Sequence, residues 1–151
     1  PRRFIETAMK ICFDTSALVA ALLQRHPHHA LAFPHLQAVR AGEAQGYLTN
    51  HALAELFATL TALPLRPKLL PADVHRLIQE SILPHFTLIP LGNQDYTDAI
   101  TLTTNRNCSS GAVYDALHLV GARAAGCQKL FTFNLRHFKS LAPSDPMIYS
   151  P

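Results

Sequence analysis

Ten acidic residues are spread over 151 positions, so the place of each one carries information. Glu6, Glu43, Asp73, Glu80, Asp95, Asp98 and Asp145 stand at termini, at helix starts or among polar neighbours, where caps and solvated surface explain them. Asp14, Glu55 and Asp115 differ, because their neighbours are apolar. A carboxylate in such company loses hydration and must find a partner, or its pKa rises. Three carboxylates converging in one cleft repel one another unless a cation neutralises them. Oxygen ligands without a nearby cysteine favour Mg²⁺ or Mn²⁺ over Zn²⁺. A metal held this way keeps several waters, activates one as a nucleophile and neutralises charge on a phosphoryl group. Metal-dependent phosphodiester hydrolysis is the chemistry that such a set of acids suits.

Each residue also has a plainer reading. Asp14 follows the apolar run Ile11-Cys12-Phe13 and can cap a helix beginning at Thr15. It equally stands at the carboxyl end of a parallel strand, where α/β sheets bind ligands. Asp115 falls opposite the stripe Val113, Leu117, Val120 and Ala124, widened by Ala116 and Leu119, of an apolar helix, near His118, so a pair with His118 or a distant arginine would account for it. Glu55 lies about 200° from the first residue of the stripe Leu53, Leu56, Phe57 and Leu60, which reads as solvated. Asn134 follows the run Leu130 to Phe133 and can be a helix cap. Together the pattern is stronger: two polar groups end separate strands, and two acids ride on adjoining helices.

The elements that must position them follow from period and punctuation. Strands are expected at Ile11–Phe13, Tyr47–Thr49, Phe86–Ile89 and Leu130–Phe133. Helices are expected at Ala17–Gln24, His28–Glu43 (ended by Gly42 or Gly46), from a cap at Asn50 to Ala62, over 71–83, Asn93–Asn105 and Ala112–Ala125, with a helical turn from Asn134. Strands alternating with helices predict an α/β fold, a mostly parallel sheet of four to five strands covered on both faces. Residues 9–151 read as one domain, and 1–8, before Met9, as an appended or upstream segment.

Composition closes off other classes. Only 15% of residues are charged, which excludes a disordered acidic or basic tail protein. No uncharged stretch exceeds the 14 residues of 26–39 and 81–94, short of the roughly 20 that a spanning helix needs. Three distant cysteines without a C-x-x-C fit a reduced, cytoplasmic chain. The net charge of +3 permits a polyanionic partner without requiring one. An aspartyl phosphatase would carry a second acid where Ser16 stands, and no Walker or G-x-G-x-x-G motif is present.

Four blocks in order carry a resemblance over nearly the whole chain from Lys10. They are Phe13-Asp14-Thr15-Ser16-Ala17-Leu18, Leu53-Ala54-Glu55-Leu56, Tyr114-Asp115-Ala116-Leu117-His118-Leu119 and Phe131-Thr132-Phe133-Asn134-Leu135-Arg136-His137-Phe138. The set resembles the PIN-domain ribonucleases, and among them the VapC-type toxins of toxin–antitoxin pairs. The resemblance implies a three-layer α/β/α fold, Mg²⁺ or Mn²⁺ at a carboxylate cluster, endonucleolytic RNA cleavage, a homodimer and a cognate antitoxin. It makes Asp14 and Asp115 metal ligands, has Glu55 bind metal directly or through water, and puts Asn134 where the family has Asp or Asn. Asn134 removes one charge, which leaves one tight metal site and two-metal chemistry open.

Thr15 and Ser16 could orient ligands through their hydroxyls, and His118 could support Asp115. Arg136 and His137 could meet a phosphate backbone. His26, His28, His29 and His35 invite a zinc site, though no Cys or acid lies nearby and a solvated helix face explains them better. Two other functions compete with a nuclease. One is a catalytically impaired PIN-like module that binds RNA or protein, to which Asn134 lends weight. The other is a metal-dependent phosphatase acting on small substrates.

Overall fold

The computed structural model describes residues 8–151, so the segment expected to be appended lies, except for Ala8, outside the described residues. The chain runs β1 (Lys10–Phe13), α1 (Thr15–Leu22), α2 (His29–Arg40), β2 (Gln45–Thr49), α3 (Asn50–Ala62), α4 (Pro71–Ser81), β3 (Phe86–Ile89), α5 (Asn93–Asn105), α6 (Ala112–Ala124), β4 (Lys129–Phe131), α7 (Leu135–Leu141) and β5 (Ile148–Tyr149). All strand pairs are parallel, in the order β3-β2-β1-β4-β5.

The central strand shows why two helical layers are needed. Ile11 and Phe13 alternate with Cys12, and all three are buried. Ile11 and Phe13 enter a core shared with α1, α2, α3 and α4, where the Phe13 ring meets Phe86 and Phe131 edge-on at 5.3 and 5.5 Å. Cys12 joins the opposite core with Leu119 and Ala122 of α6 and Phe138 of α7. A strand apolar on both faces is stable only between two such layers. This is the three-layer α/β/α arrangement.

The order has a topological switch at β1. The chain builds outward to β2 and β3, then returns to place β4 on the other side of β1. Open α/β sheets bind ligands at such a point, beyond the carboxyl ends of the strands. Phe13 pairs with Phe131, so Asp14 and Thr132 emerge side by side there.

Several local expectations need correction. A fifth strand, β5, pairs with β4, and a two-residue strand is too short to show a period. α2 stops at Arg40, because Gly42 at φ +76° turns the chain before Glu43. Thr49, not Asn50, caps α3 by accepting from the Ala52 N–H at 3.0 Å, while Asn50 Oδ1 accepts from the Leu91 N–H. The buried face of α6 is Ala116 to Leu119 with Gly121 and Ala122; Val113 and Val120 of the expected stripe pack partly buried against it, and Ala124 is exposed. A helix wedged between a sheet and two other helices buries more of its circumference than one stripe.

Candidate active site

Asp14 is both a cap and a site residue. Its Oδ1 accepts from the Ala17 N–H at 2.9 Å, satisfying a free amide of the first turn of α1, and from Ser16 Oγ at 2.7 Å. Ser16 Oγ in turn accepts from the Phe133 N–H at 2.9 Å. The buried Thr132 hydroxyl accepts from the Asn134 N–H at 2.8 Å and hydrogen-bonds the Asp14 carboxylate. Two hydroxyls thus staple the loop after β4 to the loop after β1, with Asp14 between them. Burial still raises the Asp14 carboxyl above its ordinary value, against those bonds and the His118 charge.

Glu55 stands on α3 at the edge of the buried face formed by Ala52, Leu56 and Leu60, with 29% of its side chain exposed. Its Oε1 meets His118 Nε2 at 2.8 Å, Thr15 Oγ1 at 3.2 Å and His51 Nε2 at 3.6 Å. Among the described residues, the hydrogen bond and ion pairs of Glu55 all run through Oε1. Burial works against this carboxylate, but His118, His51 and Thr15 outweigh it and hold the group below its ordinary value. His118 therefore supports Glu55 by direct contact, where the sequence pointed to Asp115.

A glycine makes that contact possible. His118 Nδ1 lies 3.0 Å from Thr49 Oγ1, on the last residue of β2. One turn along α6, a Cβ on Gly121 would sit 2.7 Å from Thr49 Cγ2 and 3.1 Å from Leu91 Cδ2. Only hydrogen at position 121 lets α6 approach β2 closely enough for the bond. Thr49 Oγ1 also accepts the Ala52 N–H, so one hydroxyl ties the start of α3 to His118 while the ring's Nε2 faces Glu55.

Asp115 lies on the first turn of α6, with 17% of its side chain exposed, and His137 Nδ1 lies 3.9 Å from its Oδ2. Burial pushes its carboxyl up to about 6; the Asp14 charge adds to the rise, His118 and His137 oppose it, and Glu55 adds to it. The negative fields of Asp14 and Glu55 both reach Asp115, so the three acids share one electrostatic site. Asn134 sits at the N-cap of α7 but its side chain makes no capping bond. It lines, with Glu55, the walls of two cavities of about 550 and 600 Å³, which are two ends of one trough.

Among the described residues, no three His, Cys, Asp or Glu side chains form a ready-made metal cage. The donor set still fits a hard divalent cation. Mg²⁺ is commonly held by one or two carboxylates plus substrate phosphates and water, and Asp14 with Asp115 offers two mutually repelling carboxylates. The four histidines of the zinc alternative go elsewhere. His28 stacks on Phe133, His29 Nδ1 meets the Ala20 carbonyl, His35 packs on Phe131, and His26 Nδ1 accepts from the His28 N–H. They pack on rings and backbone while staying open to solvent in part, His28 exposed and the other three half-buried.

Sequence reasoning passed over Thr49, His51, Tyr114 and Thr132. Thr49 and Thr132 had a readable signal, a hydroxyl at the end of a strand. The stack of His51 on Tyr114 joins α3 to α6, and no local pattern announces it.

A family model described as the PIN domain matches residues 11–142. Ribonuclease VapC40 of Mycobacterium tuberculosis is 32% identical over 123 residues, covering 82% of this chain and 85% of that protein. Of solved structures, M. tuberculosis VapC20, a Sarcin-Ricin loop cleaving toxin, superposes with a TM-score of 0.61 at 19% identity over 80% of this chain and 86% of that one. A toxin–antitoxin complex from Klebsiella pneumoniae gives 0.62 at 19% over 93% and 97%. At such identities the structural likeness speaks for the fold.

Proposed function

From the premise that this chain belongs to the PIN-domain family, we propose that it is a divalent-metal-dependent endoribonuclease of the VapC type, the toxin of a toxin–antitoxin pair. The observation that carries the reading is that Asp14, Glu55 and Asp115, from three separate elements, lie within reach of one another's charge, with Glu55 and Asp115 on the trough wall. Burial holds the Asp115 carboxyl up at about 6, against the opposing effect of His118 and His137.

Asp14 and Asp115 would hold the cation, with Glu55 joining directly or through water. When bound, Mg²⁺ or Mn²⁺ supplies a nucleophilic hydroxide and neutralises charge on the scissile phosphate. The chain's own groups do the rest. Ser16 and Thr132 fix the Asp14 carboxylate so that little reorganisation accompanies the reaction. His118 and Thr15 fix Glu55 through Oε1, which leaves Oε2 to orient the attacking water. Held below its ordinary value, Glu55 orients better than it accepts a proton. The Asn134 amide and the His137 ring, both on the trough wall, donate to phosphate oxygens.

A homodimer and a cognate antitoxin that covers the trough belong to the same proposal, as does a cytoplasmic site of action. No helix among the described residues is long and apolar enough to cross a membrane. The competing binding-module reading draws on Asn134, whose neutral side chain lowers the charge available to a second cation.

The deciding experiment is RNA cleavage by the purified chain in Mg²⁺, Mn²⁺ or EDTA, beside folded Asp14→Asn and Asp115→Asn chains. Cleavage that needs metal and disappears in both variants is expected. A folded, metal-supplied chain that binds tRNA and rRNA without cutting them would select the binding module.

A further inference from the structure

Two ring stacks border the trough, one on each of its two cavities. At one end His28 lies over Phe133, with centroids 4.6 Å apart and planes 11° from parallel. At the other, Tyr114 lies over His51 at 5.2 Å and 15°. In each pair the inner ring is half-buried and the outer ring is open, His28 exposed and Tyr114 48% exposed. His28 and Phe133 share a cavity wall with Thr15 and Ser16, and Tyr114 shares one with Asp115 and His137. Glu55 and Asn134 stand on both walls, so Glu55 lies where the two cavities meet, with Asp115 on the Tyr114 side.

Both outer rings are held in place before any ligand arrives. The His28 N–H donates to His26 Nδ1 at 3.0 Å, which fixes the turn carrying His28. Tyr114 precedes Asp115 on the rigid first turn of α6. A ring laid flat on a second ring, with its far face open beside a phosphate-handling centre, has the form of a base-stacking platform. Such platforms recognise unpaired bases through π-faces that a duplex keeps stacked inside.

Building on the ribonuclease reading, we infer that the His28–Phe133 and Tyr114–His51 stacks are two nucleobase subsites, one on each side of the scissile phosphate. Each subsite takes one unpaired base, splayed from its neighbour. The stacks supply binding and register; the acids supply the chemistry.

The test measures binding of a short single-stranded RNA by fluorescence anisotropy in EDTA, so that cleavage does not intervene, with the same sequence as a duplex for comparison. The chains are wild type, His28→Ala, Tyr114→Ala, His28→Phe and Tyr114→Phe, each with its Tm recorded. Each alanine chain is expected to bind the single strand about 5- to 150-fold more weakly, the factor that about 1–3 kcal/mol of base–aromatic stacking represents. Phenylalanine restores wild-type affinity, and the duplex binds weakly throughout. Unchanged affinity in the alanine chains, failure of phenylalanine to restore it, or no binding by wild type overturns the inference. A cleavage assay in Mn²⁺ separates the two readings. Wild-type cleavage with an unchanged KM in both alanine chains removes the subsites and keeps the nuclease. Ring-dependent binding without wild-type cleavage does the reverse.

Discussion

His118 Nε2 lies 2.8 Å from Glu55 Oε1, which makes a buried histidine of α6 the anchor of a half-buried acid on α3. The same ring meets Thr49 at the end of β2, so three elements of the cleft are tied through one side chain. Position in the cleft and stability of the fold are therefore linked.

Replacing His118 by Ala leaves Glu55 Oε1 and the Thr49 hydroxyl without their principal partner. Losing a hydrogen bond to a charged group costs about 1.5–3 kcal/mol. For a domain of this size that corresponds to a fall in Tm of about 3–12 °C. Thermal denaturation by circular dichroism measures it. A Tm within 1 °C of wild type would mean the contact contributes nothing.

Gly121→Ala is expected to destabilise the chain even though alanine is the better helix former, because its Cβ would meet Thr49 Cγ2 at 2.7 Å. Overpacking of this kind typically costs about 1–3 kcal/mol, more than the roughly 1 kcal/mol gained in helix propensity. Adding Thr49→Ser removes the offending methyl and keeps the hydroxyl, so the double variant should recover most of the loss. A single variant as stable as wild type in urea would refute the close approach.

Stability in EDTA should fall as pH rises through about 6. The Asp115 carboxyl, raised from 3.8 to about 6, contributes stability that is complete below its ordinary value and lost above the folded one. Asp14, also raised, acts in the same direction, while Glu55, held low, contributes above its ordinary value and loses that contribution in acid. Asp115→Asn should therefore have the higher Tm at pH 8 without metal, with the advantage gone near pH 4. Parallel melting curves at the two pH values decide it.

Mn²⁺ should raise the Tm of wild type at pH 8, since a ligand that binds only the native state stabilises it by mass action. Asp115→Asn should lose most of that shift, and Asn134→Asp, which returns a charge to the trough, should enlarge it. A shift equal in all three chains would place the cation away from these residues.

Much of the site was legible because it depends on local rules. A short doubly apolar strand followed by Asp-Thr-Ser announces both a strand end and a helix start, which is where Asp14 is found. Glu55 was harder. Periodicity assigned it to solvent because Leu53 and Phe57 looked like core, yet Phe57 is 39% exposed and the buried face is Ala52, Leu56 and Leu60. The partner of His118 lay 63 positions away in sequence and could not be read from its own helix, where Asp115 was the nearer acid.

The sequence by itself determined the alternation of strands and helices and which acids had apolar neighbours. Those properties follow from the period of side chains along a single element and from what stops it. Only the tertiary structure decided that β4 returns beside β1, so that Asp14 meets Thr132 and Ser16 meets Phe133. It also decided that Gly121 lets α6 touch β2, and that two ring pairs border the trough. These contacts join residues far apart in the chain. Their geometry is set by how whole layers pack, which no single element encodes.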